Sequence, residues 1–419
     1  MAFCMVIVVS GAWAQNQEEP FIWFGDSVGE EPEGVWPDHR ILPINAGPLD
    51  IGGAFRFNYS YRDWQTGRPT EDYDDDGQMD LDTIRVNIDL EDIEPWIGSF
   101  EYRYYRYRGA YSYNMLHHGW LGYQFNDMEH IEVGVTQVPF GILPYASHNW
   151  FFQLPYYVGL EDDYDLGFKY VNKDDPWNWQ FAYYPRDEGN YNGKTDDSTR
   201  YSYDVVEVDS GVAADAGVTG TTSTTNEERH QFNARVTHTM LHDGDNKTEL
   251  GLSAQYGLID NEITDDYGNH YALGAHLDGY YGPWNAKLEA ITYEYDLENP
   301  DGVSDKVVPM GAYDFPYPVA TDGHMLVGGL SRDFPVDWGP IKKVTLYNDY
   351  SVLFKTADGF ENTYQNVAGM SFAAGRWFIY VDVASAKRHP WFAAGDGLGS
   401  GTGDSDWNTR FNINFGYYF

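Results

Sequence analysis

The sequence predicts an all-β protein, a transmembrane antiparallel up-and-down β-barrel of about 16 strands with short turns at one end and long loops at the other. Three observations predict it. From residue 50 onward, short segments alternate apolar or aromatic side chains with polar ones, the period-two mark of a strand whose two faces meet different surroundings. The connections between those segments alternate between long and short along most of the chain. No apolar run approaches the roughly 20 residues a membrane helix needs, and the mean hydropathy is -0.53, although 42% of the residues are hydrophobic and 17% aromatic.

Taken in order, residues 1–14 read as a signal peptide. An apolar stretch over 2–9 leads to Ala12, Trp13 and Ala14 before Gln15, the small-x-small pattern of a signal-peptidase site. The only cysteine, Cys4, lies in this stretch, so the exported chain has no disulfide to hold it. Residues 15–49 are punctuated by Pro and Gly without a period and read as a periplasmic arm.

The barrel is expected over 50–419. Its segments fall near 50–60, 79–90, 97–107, 117–126, 130–138, 164–171, 177–184, 229–241, 247–258, 268–282, 284–296, 323–334, 341–353, 361–374, 376–386 and 407–419. In the first, Ile51, Gly53, Phe55, Phe57 and Tyr59 share one face and Arg56, Asn58 and Ser60 the other. Ile84, Val86, Ile88 and Leu90 likewise oppose Arg85, Asn87 and Asp89.

Long connections at 66–78, 139–163, 185–228, 297–322 and 387–406 are separated by short ones at 91–96, 172–176, 242–246 and 335–340. Gly282-Pro283 and Gly375-Arg376 mark turns as tight as a hairpin permits. A soluble antiparallel sheet with one wet face explains the alternation of side chains, but it has no reason to put its long loops on one side. A barrel entering the outer membrane from the periplasm does. In lipid every backbone donor and acceptor must be paired, so such a sheet has to close on itself. The 35 Tyr and 14 Trp suit girdles at the membrane interfaces.

The closing residues Phe411, Ile413, Phe415, Tyr417 and Phe419 alternate with Asn412, Asn414, Gly416 and Tyr418. This run resembles the terminal strand by which outer-membrane proteins are recognised for assembly, including its final Phe, and it is expected to close the cylinder against the strand beginning near Asp50. The segment Val133, Gly134, Val135, Thr136, Gln137, Val138, Pro139, Phe140 and Gly141, a long loop, and then Tyr164, Asp165, Leu166, Gly167 and Phe168 resemble the fifth strand, third loop and sixth strand of sixteen-stranded porins. The similarity is greatest to the phosphate-selective porin group. The resemblance implies an outer-membrane location in a Gram-negative bacterium, contact with outer-membrane lipid and lipopolysaccharide, a homotrimer, and a third loop, 139–163, folded in to constrict the pore. Where that family uses many basic pore residues, this chain carries 26 Lys+Arg against 65 Asp+Glu, a formal charge of -39. That balance also excludes nucleic acid as a partner, because phosphate-binding surfaces must be basic.

Face parity points Arg56, Arg85 and Arg103 inward from three consecutive strands, while Glu161, Asp162 and Asp163 end the proposed constriction loop. Opposed charges across a narrow water channel orient dipolar solutes and set ion preference. Asp72, Asp74, Asp76 and Asp80 match the opening of a calcium loop with Gly77 at its turn, although Thr83 stands where a bidentate Glu is expected; calcium is thus a candidate ligand and no cofactor is required. His117 and His118 are neighbours in a strand, so their rings are expected on opposite faces, which argues against a metal pair. No His-Glu-x-x-His, Gly-x-Ser-x-Gly or phosphate-binding Gly-Lys loop occurs, so no enzyme is expected. The functional expectation is passive diffusion of small hydrophilic solutes or ions through a water-filled pore. The alternative is a barrel with a rim hydrolase site or an adhesin built on loops such as 211–225.

Overall fold

The computed structural model describes residues 6–8, 21–23, 47–62, 77–106, 112–193, 198–208, 225–244, 246–392, 397–402 and 406–419. Two short strands, β1 (Val6–Val8) and β2 (Phe21–Trp23), pair with each other. The wall begins with β3 (Leu49–Arg62), β4 (Gln78–Ile93), β5 (Trp96–Arg106), β6 (Ser112–Asn126), β7 (Glu129–Gln137), β8 (Tyr164–Asp174) and β9 (Trp177–Asp187). After the loop strand β10 (Asp204–Val205) it continues with β11 (Asn226–Leu241), β12 (Lys247–Asn261), β13 (Asp266–Tyr281) and β14 (Trp284–Asp296). Two more loop strands follow, β15 (Val307–Ala312) and β16 (Phe315–Ala320). The wall ends with β17 (Asp322–Trp338), β18 (Ile341–Lys355), β19 (Thr363–Ala374), β20 (Trp377–Lys387) and β21 (Trp407–Tyr418).

The sixteen wall strands form one closed barrel in which each pairs antiparallel with its neighbours. Every segment read from the alternation is one wall strand. The seam joins the two ends of the wall: β21 pairs β3 with Phe415 opposite Phe57 and Asn414 opposite Asn58. Phe419 extends the seam, donating from its N–H to the Gly53 carbonyl at 3.0 Å and accepting from the Gly53 N–H at 2.8 Å. Its ring stacks on Phe55 with centroids 5.3 Å apart. Closure removes every free edge from the lipid, where an unpaired backbone group costs several kcal/mol.

The period-two pattern sorts the wall into two surfaces. Phe55, Phe57, Val86, Leu252, Leu273, Leu288, Leu326 and Val383 face outward, while Arg56, Asn58, Ser60, Ser253, Asp382, Asn412 and Asn414 are buried within the cylinder. Trp96, Tyr123, Trp177, Tyr281, Trp284, Trp338 and Trp377 are exposed beside the short turns, where an aromatic body meets lipid and its polar tip meets headgroups. The turns themselves are tight because Gly282 and Gly375 adopt positive φ, 57° and 61°, which costs a glycine nothing.

The aromatics do a second job that composition did not suggest. Tyr105, Tyr113, Tyr156, Tyr157, Tyr201, Tyr203, Tyr313 and Tyr317 are all buried and stack in one cluster inside the barrel. The connections 185–228 and 297–322, read from sequence as loops, contribute a three-stranded sheet to it, in the order β10-β15-β16. Pro309, Pro316 and Pro318 conceal these strands in the sequence, because Pro cannot donate to a ladder. Pro316 and Pro318 sit on β16, an edge of this sheet, where the missing N–H leaves no partner unsatisfied.

Candidate functional site

Residues 139–163 do not stand outside the barrel. Gly141 N–H donates to Ser253 Oγ on β12 at 3.0 Å, and Arg235 Nε on β11 donates to the Gly141 carbonyl at 2.8 Å. Further along, Lys287 Nζ on β14 donates to the Tyr145 carbonyl at 2.8 Å. His148 bridges Asp349 on β18 at 2.7 Å and Asn285 on β14 at 2.6 Å. Gln365 on β19 donates to the Phe152 carbonyl at 2.9 Å. The segment therefore crosses the lumen and is bonded to the inward side chains of the opposite wall. A 3₁₀ turn, Leu154–Val158, then brings it back; at its neck Val138 N–H meets the Asp163 carbonyl at 2.8 Å.

Six residues were singled out from sequence as facing the pore, and all six lie inside the barrel with at most 6% exposure. Arg56 donates to Asn414 Oδ1 at 2.6 and 3.1 Å and sits 3.7 Å from Asp82. A bulge between Arg56 and Phe57 gives β4 an extra residue there, which turns Asp82 inward beside Thr83. Arg85 and Arg103 share one carboxylate, Glu101, with Arg85 at 3.4 Å. Arg103 also lies over the Tyr201 ring at 4.8 Å.

The three acidic residues diverge and do not form a single face opposite those arginines. Asp162 comes nearest, accepting from Tyr201 Oη at 2.5 Å and from Gln137 at 3.1 Å, so the Tyr201 ring stands between it and Arg103. Glu161 turns the other way and accepts from the Ala146 N–H at 3.0 Å; burial and the nearby Glu289 charge push its pKa well up. Asp163 points to Asp165 and Asp204. Of the proposed calcium loop, Asp72, Asp74 and Asp76 lie outside the described residues. Asp80 is in the wall on β4, accepting from Gln78 Nε2 at 2.8 Å.

The histidine pair needs a correction. Glu101 pairs with His118 while Tyr102 pairs with Leu116, so His117 is the extra residue of a bulge. A bulge cancels strict alternation, and both rings are buried inside, joined Nδ1 to Nδ1 at 2.7 Å. His118 Nε2 also meets Ser99 Oγ at 2.7 Å.

Parity alone did not single out several interior groups. Lys169 pairs with Glu132 at 3.0 Å on adjoining strands. Arg376, read as the end of a turn and the start of the segment 376–386, is buried with both terminal nitrogens lacking a partner among the described residues. It lies next to Arg85: its carbonyl accepts from the Tyr418 N–H at 3.0 Å, and the Arg85 guanidinium covers the Tyr418 ring at 4.9 Å. Arg200 binds Asp187 at 2.6 Å and Asp204 at 2.9 Å.

A closed sixteen-strand wall with an apolar outside, a charged inside and a third connection folded across the lumen defines an outer-membrane porin, a channel for passive diffusion of small hydrophilic solutes or ions in a Gram-negative bacterium. The chain belongs to the family of phosphate-selective porins O and P, whose model matches residues 54–313. Among solved structures it is similar to the outer-membrane channel DcaP of Acinetobacter baumannii, at TM-score 0.56 and 11% identity over 88% of this chain and 97% of that one. OmpT of Vibrio cholerae in its trimer form gives TM-score 0.51 and 13% identity, covering 88% and 99%. OprB of Pseudomonas putida gives 0.50 and 9%, covering 89% and 94%. No curated relative matches the chain.

Proposed function

We propose that residues 139–163 constrict this porin and that the charges they face, rather than a dedicated solute site, sort what passes. The observation that carries the reading is the set of hydrogen bonds from this segment to inward side chains of β11, β12, β14, β18 and β19. A loop anchored at that many points has a fixed position, so the gap beside it has a fixed size. Arg85 and Arg376 supply positive charge near one end of the lumen, and the carboxylates around Asp163 supply negative charge elsewhere. With 65 Asp+Glu against 26 Lys+Arg in the chain as a whole, a preference for phosphate is not part of this reading. The protein acts as a channel without a catalytic role or required cofactor. Its apolar band contacts outer-membrane lipid, with lipopolysaccharide on the outer side, and it assembles as a homotrimer, as OmpT of Vibrio cholerae does in one of its solved forms.

Planar-bilayer recording tests the reading. Purified, heat-modifiable protein should give stepwise conductance in groups of three. Replacing residues 144–158 by a short Gly-Ser linker should increase the unit step. Folded protein without steps would exclude diffusion through this lumen, and an unchanged step in the loop variant would exclude the constriction. The alternative adhesin reading rested on 211–225, of which 211–224 lie outside the described residues; no observation favours it or a rim hydrolase.

A further inference from the structure

We propose that Asp163, Asp165 and Asp204 form a binding site for one divalent cation of the calcium class, which ties the neck of the in-folded segment 139–163 to the loop sheet β10-β15-β16.

The three residues come from different parts of the chain. Asp163 ends the in-folded segment, Asp165 opens the wall strand β8, and Asp204 lies on the loop strand β10. One carboxylate oxygen from each falls within 4.8 Å of the other two. All three side chains are more than nine-tenths buried. Two of them present an oxygen with nothing to accept from: among the described residues, Asp163 Oδ1 and Asp165 Oδ1 have no hydrogen-bond partner. Their other oxygens are engaged, Asp165 Oδ2 accepting from Gln231 at 3.0 Å, so the free oxygens are fixed in direction. Buried carboxylate oxygens without a donor are rare in folded proteins and call for a proton or an ion.

The surrounding charges favour an ion. Asp187, Glu188 and Glu228 are buried beside the three. Glu228 accepts from the Val205 N–H at 3.1 Å, and Glu188 from the Tyr201 and Ser202 N–H groups at 3.1 and 2.8 Å. The guanidinium among them is Arg200, and it is already committed to Asp187 and Asp204. Six carboxylates crowd around the Arg200 guanidinium where water screens little, so the cluster takes up either protons or a cation.

Ligand chemistry sets the class of ion. All three donors are hard carboxylate oxygens, which suit Ca²⁺ or Mg²⁺ over softer metals. Oxygens within 4.8 Å of one another can all reach one Ca²⁺, whose bonds are about 2.3–2.6 Å long, whereas Mg²⁺ keeps several waters and is seldom held by an all-protein cage. None of the three belongs to the acidic segment 72–80.

Isothermal titration calorimetry on detergent-solubilised protein, stripped with EDTA and titrated with CaCl₂, tests the site. Wild type should show one saturable site per chain above the weak binding expected of an acidic surface, with Mg²⁺ weaker. Asp165→Asn/Asp204→Asn should lower the calcium affinity at least about tenfold, because it removes two ligand charges, and should abolish the calcium-induced rise in thermal midpoint. Heat-modifiable migration shows that the variant has folded. If the double variant fails that check, Asp204→Asn alone, placed in the loop sheet and not in the wall, carries the same expectation. Absence of a saturable site in wild type overturns the proposal and leaves these oxygens to protons. Equal saturable binding in wild type and folded variant also overturns it, since the ion would then sit elsewhere, the segment 72–80 being the first place to look.

Discussion

On the inner face of β3–β5, three guanidiniums, those of Arg56, Arg85 and Arg103, meet two carboxylates, Asp82 and Glu101. At the neck of the in-folded segment, six carboxylates gather around the guanidinium of Arg200. Both regions are buried, and both are built around arginine. The first is nearly neutral through direct pairing along a ladder, so the wall alone accounts for its charge. The second is assembled from the ends of three wall strands, β8, β9 and β11, and from two loops, and its carboxylates outnumber the guanidinium they surround. In the first, removing one group unbalances a pair; in the second, it changes how far loops that are not part of the wall can be held inside.

The largest effect should come from Arg200→Met. Removing one partner from a buried ion pair costs about 3–5 kcal/mol, and here the loss falls on the loop sheet while the ladder of the wall is untouched. Limited proteolysis of the folded barrel should cut within 188–208 in the variant and spare wild type, with the heat-modifiable core surviving in both. Equal resistance would mean that the aromatic cluster around Tyr203 and Tyr313, not the arginine, holds this sheet in place.

Glu101→Gln tests the other region. It releases Arg85 and Arg103 together, and the freed positive charge should favour anions. A unit charge about 8 Å from a passing ion is worth ~0.5 kcal/mol in water-like surroundings, roughly a twofold change in permeability ratio. Reversal potentials in a salt gradient read it directly. An unchanged reversal potential would show that the ladder's charge does not reach the conducting path.

How far the sequence carried this picture differs between the same two regions. The inward position of Arg56, Arg85 and Arg103 follows from strand parity, which is local, and the closure of β21 on β3 follows from the need to pair every backbone group in lipid. Parity failed at His117 and His118 because a bulge is set by the partner strand and leaves no mark in the bulged segment itself. The acidic neck was only partly legible. Asp163 was singled out, but Asp165, Glu188, Asp204 and Glu228 come from separate segments and meet only once the loops fold inward. In a chain with 65 acidic residues, no spacing rule could have selected those five. The tyrosines were legible only in part for a similar reason: composition suggests the girdle that Tyr123 and Tyr281 join, not that Tyr156, Tyr203 and Tyr317 turn into the lumen.

The smallest effect expected is that of Arg85→Ala, and it sharpens the comparison most. Unlike Arg56 and Arg103, Arg85 lies near Arg376, whose terminal nitrogens have no partner among the described residues, with Tyr418 between them. Its removal should shift the reversal potential toward cations by about the same twofold factor, with little loss of stability, because Glu101 keeps Arg103. Arg376→Ala should move the potential in the same direction. If the two variants shift it equally and the double variant adds them, the positive charge near Tyr418 acts as a field on passing ions. A shift from Arg376 alone would mean that Glu101 already neutralises Arg85. The ladder would then be structural along its whole length, and only the unpaired end would act on the permeating solute.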